Sequence, residues 1–199
     1  MDAKEKIKNG ALKMFTTFGI RNITMDMIAD ELGISKRTIY ENFKDKDELV
    51  KCCIELAITE HKRIKEEIQS KSSNIIELMI LILKNGISIM KSVNPLFFHD
   101  LKKHYSTISQ QTVEYNDKKN IDQLAEYLKI GIKEKLFRSN INVEIVAILF
   151  FEQLRILNEK NAFPEDKFSK VEVFENIVIN FLRGISTEQG LSMIDMYNV

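Results

Sequence analysis

The side chains with the clearest chemical potential lie between Gly33 and Lys46. This stretch reads Gly-Ile-Ser-Lys-Arg-Thr-Ile-Tyr-Glu-Asn-Phe-Lys-Asp-Lys and has four basic and two acidic side chains. Lysine and arginine bind phosphate groups and base edges, and hydroxyl side chains donate hydrogen bonds to phosphate oxygens. The chemistry that this combination favours is the binding of a nucleic acid.

Two short helices joined by a tight turn would position these side chains. Thr24 is a predicted N-cap of the first helix, and Gly33 is expected to end that helix in the left-handed conformation. Ser35 is the predicted N-cap of the second helix, from Lys36 to about Asn42. The pair would form a helix-turn-helix packed through Ile28, Ala29, Leu32, Ile34, Ile39 and Phe43. The second helix has the right width for a major groove of duplex DNA.

The spacing of these residues is also that of a known family. The chain has Thr24…Ile28-Ala29…Gly33-Ile34-Ser35, then Thr38-Ile39-Tyr40, then Phe43…Lys46…Leu49. This arrangement resembles the DNA-binding domain of the TetR family of bacterial transcriptional regulators. A weaker match, at residues 131–140, is similar to the turn before the family's dimerisation helices. The chain departs from the family pattern at Asn42, where an aromatic residue or histidine is usual.

The resemblance implies a set of DNA contacts. Thr24, Tyr40 and Lys46 match positions that touch backbone phosphates in the family. Lys36, Arg37 and Thr38 match positions that face bases or flanking phosphates. The full predicted DNA-binding set is Thr24, Ser35, Lys36, Arg37, Thr38, Tyr40, Lys44 and Lys46. The implied partner is a double-stranded, near-palindromic operator, with two recognition helices roughly 34–36 Å apart in a homodimer.

Composition sets the fold class. The chain has 7 glycines and 2 prolines among 199 residues, whereas the two together usually make up ~12% of a protein. Because sheets depend on turns rich in these residues, we predict an all-α protein of about nine helices. The predicted domains are a three-helix DNA-binding domain at residues 1–48, a helical effector-binding and dimerisation domain at 49–186, and a loosely held tail at 187–199. The net charge is zero, so a nucleic acid must be bound by a local patch.

Two helices of the larger domain are apolar on more than one face. They span residues 143–157 and 168–185, and such helices would aggregate if exposed on a monomer. The resemblance implies that they form a four-helix bundle between two subunits. The predicted dimer interface consists of Phe151, Leu154, Phe174, Ile177, Val178 and Phe181.

The middle helices resemble the family's ligand-binding region, and the implied partner is a small organic effector. Apolar walls with a few polar tips are typical of such sites. The candidates are Met79, Leu83, Phe97, Phe98, Leu101, His104, Tyr105, Tyr127 and Phe150. An effector that fits one arrangement of these helices would tilt the fourth helix and release the operator.

Other classes of function find little support. His99 and His104 are five residues apart, about 140° around a helix, which is poor geometry for a shared metal. No nucleophile motif accompanies them, so we predict neither an enzyme nor a cofactor. Cys52 and Cys53 are adjacent, which suits neither a disulfide nor a zinc site. Without a signal peptide or a membrane-length apolar run, we expect a cytoplasmic protein. The alternative is a helical small-molecule carrier with a vestigial helix-turn-helix.

Overall fold

The computed structural model describes residues 2–158, 162–164 and 166–197, without the side chains of 109–117 and 158. In this part of the chain the regular elements are helices, and a single isolated bridge joins Phe137 to Ser186. The predicted all-α fold is confirmed. The helices are α1 (Ala3–Phe18), α2 (Met25–Leu32), α3 (Lys36–Asn42), α4 (Lys46–Lys71), α5 (Ile75–Ser92), α6 (Pro95–His104), α7 (Ser106–Lys133), α8 (Val143–Arg155), α9 (Lys170–Ile185) and α10 (Glu188–Met196). A 3-10 turn, Ile156–Asn158, follows α8.

The chain forms two compact units. The first comprises Met1–Glu66 and Lys91–Val113, and the second comprises Glu67–Met90 and Glu114–Val199. The first unit therefore contains α6 and the first part of α4 in addition to α1–α3. It extends well past the domain predicted at residues 1–48, so that functional boundary stays a prediction. No helix in the described ranges is long and apolar enough to cross a membrane.

The first unit is built around a dense apolar core. The spacing of the apolar residues in the first helix predicts one buried face, formed by Ile7, Ala11, Leu12, Phe15 and Phe18. Phe15, Ile28, Ile39 and Phe43 are all at most 1% exposed, so the predicted inner faces of α1, α2 and α3 are largely correct. Phe18 is the exception, because its side chain is 53% exposed. The 3–4 spacing places Phe18 near the apolar face, but Gly19 ends the helix there and the last turn projects beyond the core.

Local capping bonds mark the helix starts as predicted. The hydroxyl oxygen of Thr24 accepts a hydrogen bond from the backbone N–H of Met27 at 3.2 Å. Asp45 followed by Glu48 predicts a capping box at the start of α4, and Asp45 Oδ1 accepts a hydrogen bond from the Glu48 N–H at 2.9 Å. The Glu48 carboxylate in turn accepts from the Lys44 N–H at 2.7 Å. Each bond satisfies a backbone donor that a helix start leaves unpaired.

The second unit has its own core and a helix that the sequence did not reveal. The prediction of a loosely held tail is wrong, because residues 188–196 form α10 and Ile194 is fully buried. Thr187 caps this helix by accepting from the Gly190 N–H, and the Thr187 N–H donates to the Leu136 carbonyl at 2.9 Å. A nine-residue helix is marginal alone and owes its stability to such tertiary contacts.

Two other expectations need adjustment. The helix predicted from Phe168 begins at Lys170, because the Ser169 hydroxyl accepts from the Glu172 N–H and so fixes the cap. The backbone of residues 106–120, for which the sequence gives no clear prediction, continues as part of α7. The sequence also predicts a loop over residues 158–167, which include Pro164, and this segment falls partly outside the described residues.

Cys53 is expected to resist alkylation in the folded protein. Burial raises the pKa of its thiol to about 12, and the Sγ atom donates to the Lys8 carbonyl at 3.4 Å. Because the thiolate is the reactive form, iodoacetamide at pH 8 should modify Cys53 only after unfolding. Mass spectrometry of a Cys52→Ser variant with and without urea measures this directly. Equal labelling of the folded and unfolded variant would contradict it.

Candidate nucleic-acid interface

The turn between α2 and α3 is shaped by Gly33. Its backbone lies in the left-handed region at φ 63° and ψ 37°, as predicted, and its N–H donates to the carbonyls of Ala29 and Asp30. The Ile34 N–H also bonds to the Ala29 carbonyl at 3.0 Å. These bonds close α2 within one residue, so that Ser35 can start α3 at once. The result is the predicted helix-turn-helix.

The third helix has an inner side and an outer side. The Ser35 hydroxyl oxygen accepts from the Thr38 N–H at 3.0 Å, which anchors the start of α3. Ile39 is fully buried, whereas Tyr40 is 47% exposed. Lys36 and Arg37 are also exposed. The amino-terminal turn and outer side of α3 therefore present cationic and aromatic groups to solvent.

Both cations on α3 pair with acids. Lys36 Nζ lies 2.7 Å from an Asp26 carboxylate oxygen, and the hydrogen bond to this carboxylate raises the pKa of Lys36. Arg37 Nε lies 2.8 Å from Glu41 Oε1, and the Arg37 side chain is 87% exposed. Ion pairs between exposed side chains contribute little to stability, so each cation can exchange its carboxylate for a phosphate or a base edge.

The two lysines after α3 differ in their surroundings. Lys44 is exposed, and its ammonium has no partner among the described residues. Lys46 is half-buried, and its Nζ donates to the Ile20 carbonyl at 2.6 Å. Burial lowers the pKa of Lys46. Lys46 thus ties the start of α4 to the α1–α2 connection, a structural role that its motif position does not indicate.

The remaining predicted DNA-binding groups are hydroxyls engaged in local bonds. Thr24 caps α2, and the hydroxyls of Ser35 and Thr38 lie 2.8 Å apart. Asn42, the departure from the family pattern, donates to the Thr38 carbonyl at 2.8 Å and so turns back along its own helix. The structure therefore places Ser35, Lys36, Arg37, Thr38 and Tyr40 on α3 and its cap, whereas the ammonium of Lys46 turns to the Ile20 carbonyl.

Sequence reasoning missed a buried polar link between α6 and the end of α1. Asp100 is 6% exposed, and its Oδ2 accepts from the Arg21 N–H at 2.9 Å. Asn94 donates to the Thr17 carbonyl at 3.0 Å and caps α6. These bonds fasten α6 to the end of α1. The Asn94-Pro95 pair predicts the cap of α6 from the sequence alone, but no local pattern signals a bond between residues 79 positions apart.

The predicted effector residues are divided between the two units. Phe97, Phe98, Leu101, His104 and Tyr105 belong to the first unit, where Phe97 joins the core and Phe98 is 48% exposed. In the second unit, each of the other candidates is at most 9% exposed, and these are Met79, Leu83, Tyr127 and Phe150. Neither unit by itself gathers the set around one cavity, so the effector site stays a prediction.

The most polar of these second-unit residues is Tyr127. Its hydroxyl accepts from Gln123 Nε2 at 2.9 Å and donates to Gln69 Oε1 at 3.4 Å. Burial raises the pKa of Tyr127. This short chain of hydrogen bonds supplies polar atoms at the edge of an apolar core, as a ligand site requires.

A groove of about 790 Å³ runs along α8 and α9. Of the predicted dimer residues, Ile177 and Phe181 line it, and Phe150 from the effector set does so too. Val178 is 5% exposed and packs inside the chain. The other three residues of the predicted dimer interface are half-buried, namely Phe151, Leu154 and Phe174. The most exposed apolar side chains of α8 are instead Ile145, Ile148 and Leu149, at 55%, 47% and 55%.

The described residues contain no group of three or more histidine, cysteine, aspartate or glutamate side chains able to hold a metal ion. The geometry that they do contain, a short capped helix with exposed cations on a helix-turn-helix, defines a DNA-binding transcriptional regulator.

Comparison with known proteins shows which family the helix-turn-helix resembles. Residues 7–53 match the family described as bacterial regulatory proteins, tetR family. The uncharacterized HTH-type transcriptional regulator YvaF of Bacillus subtilis (strain 168) is 28% identical over 173 residues, covering 84% of this chain and 88% of that protein. A transcriptional regulator from Cytophaga hutchinsonii has the same fold, with a TM-score of 0.70 at 24% identity over 92% of this chain and 98% of that one. The helix-turn-helix region of the chain is therefore similar to that of the TetR family of bacterial transcriptional regulators, and the chain has the fold of solved transcriptional regulators.

A further relative limits how far the likeness extends. An HTH-type transcriptional regulator of Staphylococcus aureus (strain USA300) is 41% identical over 76 residues, which is 35% of this chain and 41% of that protein. Members of this family regulate transcription and are not enzymes.

Proposed function

We propose that the protein is a cytoplasmic repressor that binds a near-palindromic operator as a homodimer and is released by a small organic effector. The observation that carries the DNA-binding part is the exposed outer side of α3. Lys36, Arg37 and Tyr40 project from the first two turns, where a recognition helix meets base edges. Lys44 lies just beyond, free to approach a phosphate.

The homodimer is supported by the apolar surface of α8 and α9. Three large side chains on α8 are about half exposed, namely Ile145, Ile148 and Leu149. They lie within two turns, so they form one patch, and contiguous apolar patches on soluble proteins often mark interaction sites. The neighbouring groove along α9 continues this surface.

Release by an effector is supported by the connection between α6 and the DNA-binding helices. Asp100 and Asn94 bond to the α1–α2 region. A ligand that shifts α6 would therefore also move the end of α1, to which α6 is hydrogen-bonded within the unit that carries α3. Because α4 runs from one compact unit into the other, its tilt offers a second route to altered spacing of the recognition helices.

The test is binding of the full-length protein to a palindrome near its own gene, followed by fluorescence anisotropy as salt is varied. A steep salt dependence is expected because phosphate contacts release counterions. Tyr40→Ala should weaken binding, and Lys44→Ala should lower the salt slope by about one unit for each subunit of the dimer. Lys46→Ala removes the predicted phosphate contact together with the bond to the Ile20 carbonyl.

Two results would contradict the proposal. Salt-insensitive binding, or the same affinity for the palindrome after Tyr40→Ala and Lys46→Ala, would exclude this DNA interface. Absence of any binding to duplex DNA, together with a co-purified small molecule, would favour the helical carrier. Effector release is tested separately, by adding such a molecule to the preformed protein–DNA complex and measuring the loss of anisotropy.

A further inference from the structure

Gly184 is a glycine in α9 at a position where the described residues would also accept a larger side chain. The glycines with positive φ are Gly19 and Gly33, so the backbone at Gly184 is one that any residue adopts. A Cβ built at Gly184 would meet no heavy atom of the described residues within 4 Å, apart from its own local helix backbone and chain neighbours. Glycine is also a poor helix former. Neither backbone conformation nor internal packing therefore requires it.

The other helical glycines make the contrast clear. A Cβ at Gly131 would lie 2.1 Å from the Phe137 ring, and one at Gly190 would lie 2.3 Å from the Leu136 carbonyl oxygen. At these two positions neighbouring atoms of the same chain leave no space for a side chain. Gly184 instead lines the exposed groove along α8 and α9. Among the described residues nothing crowds it, so a group of a partner molecule has room to approach it.

Gly184 ends a row of exposed residues with a spacing of four. The row consists of Glu172, Asn176, Asn180 and Gly184, all exposed and all lining the groove. Residues four apart form a ridge along a helix, and such ridges pack into the grooves of another helix. The Asn180 amide makes no hydrogen bond within the described part of the chain, whereas Asn176 donates to the Glu172 carbonyl at 2.9 Å.

We propose that this ridge selects a second copy of the same chain. Gly184 is the point where a partner helix approaches most closely, and the amides of Asn176 and Asn180 pair with polar groups of the second copy. This inference rests on the homodimer proposed above. It adds which residues allow the two subunits to pack closely and which make the interface specific for a second copy.

The chemistry of the ridge favours a second copy over another apolar helix. An amide has both donors and an acceptor, so it can pair with an amide from an identical surface across a two-fold axis. An all-apolar partner would bury these amides without hydrogen bonds, which is costly. Gln153, whose side-chain amide has no bond within the described residues, lines the facing side of the groove on α8 and extends the polar set.

The test compares dimer dissociation constants by sedimentation equilibrium at neutral pH. Gly184→Ala adds one methyl group that the chain itself can accommodate. It should raise the dissociation constant at least tenfold while leaving the circular dichroism spectrum unchanged. Asn180→Asp is nearly isosteric and places a negative charge in each subunit's groove, so it should also weaken the dimer at least tenfold. Ser192→Ala, on an exposed part of α10, is the control and should change nothing.

The outcomes separate this inference from the homodimer itself. A wild-type protein that is monomeric at every concentration would overturn both. A wild-type dimer whose dissociation constant stays within twofold in Gly184→Ala would overturn close approach at this glycine. An unchanged constant in Asn180→Asp would overturn selection by the amides.

Discussion

Arg37→Glu is expected to weaken binding to the operator by roughly 100-fold or more, since a lost base or phosphate contact costs about 1–3 kcal/mol and a dimer carries the change twice. Arg37 lies in the first turn of α3 with its side chain 87% exposed. Its partner in the free protein is Glu41 at 2.8 Å. The variant replaces this pair by two neighbouring carboxylates on the face that would meet DNA, so attraction becomes repulsion.

The matched variant is Glu41→Gln, which should act in the opposite direction. It keeps the size of the side chain but removes a negative charge near the DNA, leaving Arg37 with a weaker competitor for phosphate. Its operator affinity should equal or exceed that of the wild type at low salt. Anisotropy titrations of both variants at two salt concentrations measure the difference. An Arg37→Glu variant that binds like the wild type would exclude α3 as the recognition helix.

The helix-turn-helix could be predicted because its signals are local. Thr24 and Ser35 are caps, Gly33 has a conformation that glycine favours, and each of these acts over three or four residues. The inward positions Ile39 and Phe43 follow from helical spacing alone. Local capping and periodicity agree here, and such agreement makes a segment predictable from sequence.

The surroundings of the site were less predictable because they depend on distant parts of the chain. Arg37 and Glu41 are four residues apart on one helix, and this separation could have indicated their ion pair. The pairing of Lys36 with Asp26 across the turn, and of Lys46 with the Ile20 carbonyl, needs the packed structure. The bond between Asp100 and the Arg21 N–H spans 79 positions and leaves no periodic trace.

The carboxyl-terminal segment illustrates the same limit. Its polar residues and short length suggested a tail, yet Ile194 is fully buried within the second unit. What holds α10 is the Leu136 carbonyl, which accepts from the Thr187 N–H at 2.9 Å and from the Thr187 hydroxyl at 3.2 Å. Backbone acceptors in a distant loop have no sequence signature, so a helix that depends on them is easily missed.

Gly190→Ala is expected to destabilise the protein by about 3 kcal/mol, at the upper end of what overpacking costs. The added Cβ would lie 2.3 Å from the Leu136 carbonyl oxygen, far inside contact distance. That oxygen cannot move freely because Thr187 holds it with two hydrogen bonds. The methyl group must therefore push α10 away, which breaks the Thr187 bonds and exposes Ile194.

Urea denaturation followed by circular dichroism measures this loss, with Ser192→Ala on the same helix as the control. Because the Ser192 side chain is exposed, the control should change the free energy of unfolding by less than about 0.5 kcal/mol. Hydrogen exchange should also become faster in α10 before it changes in α1–α3, since the DNA-binding helices have a separate core. An unchanged urea midpoint in Gly190→Ala would mean that α10 does not pack against Leu136, and that the tail is loosely held after all.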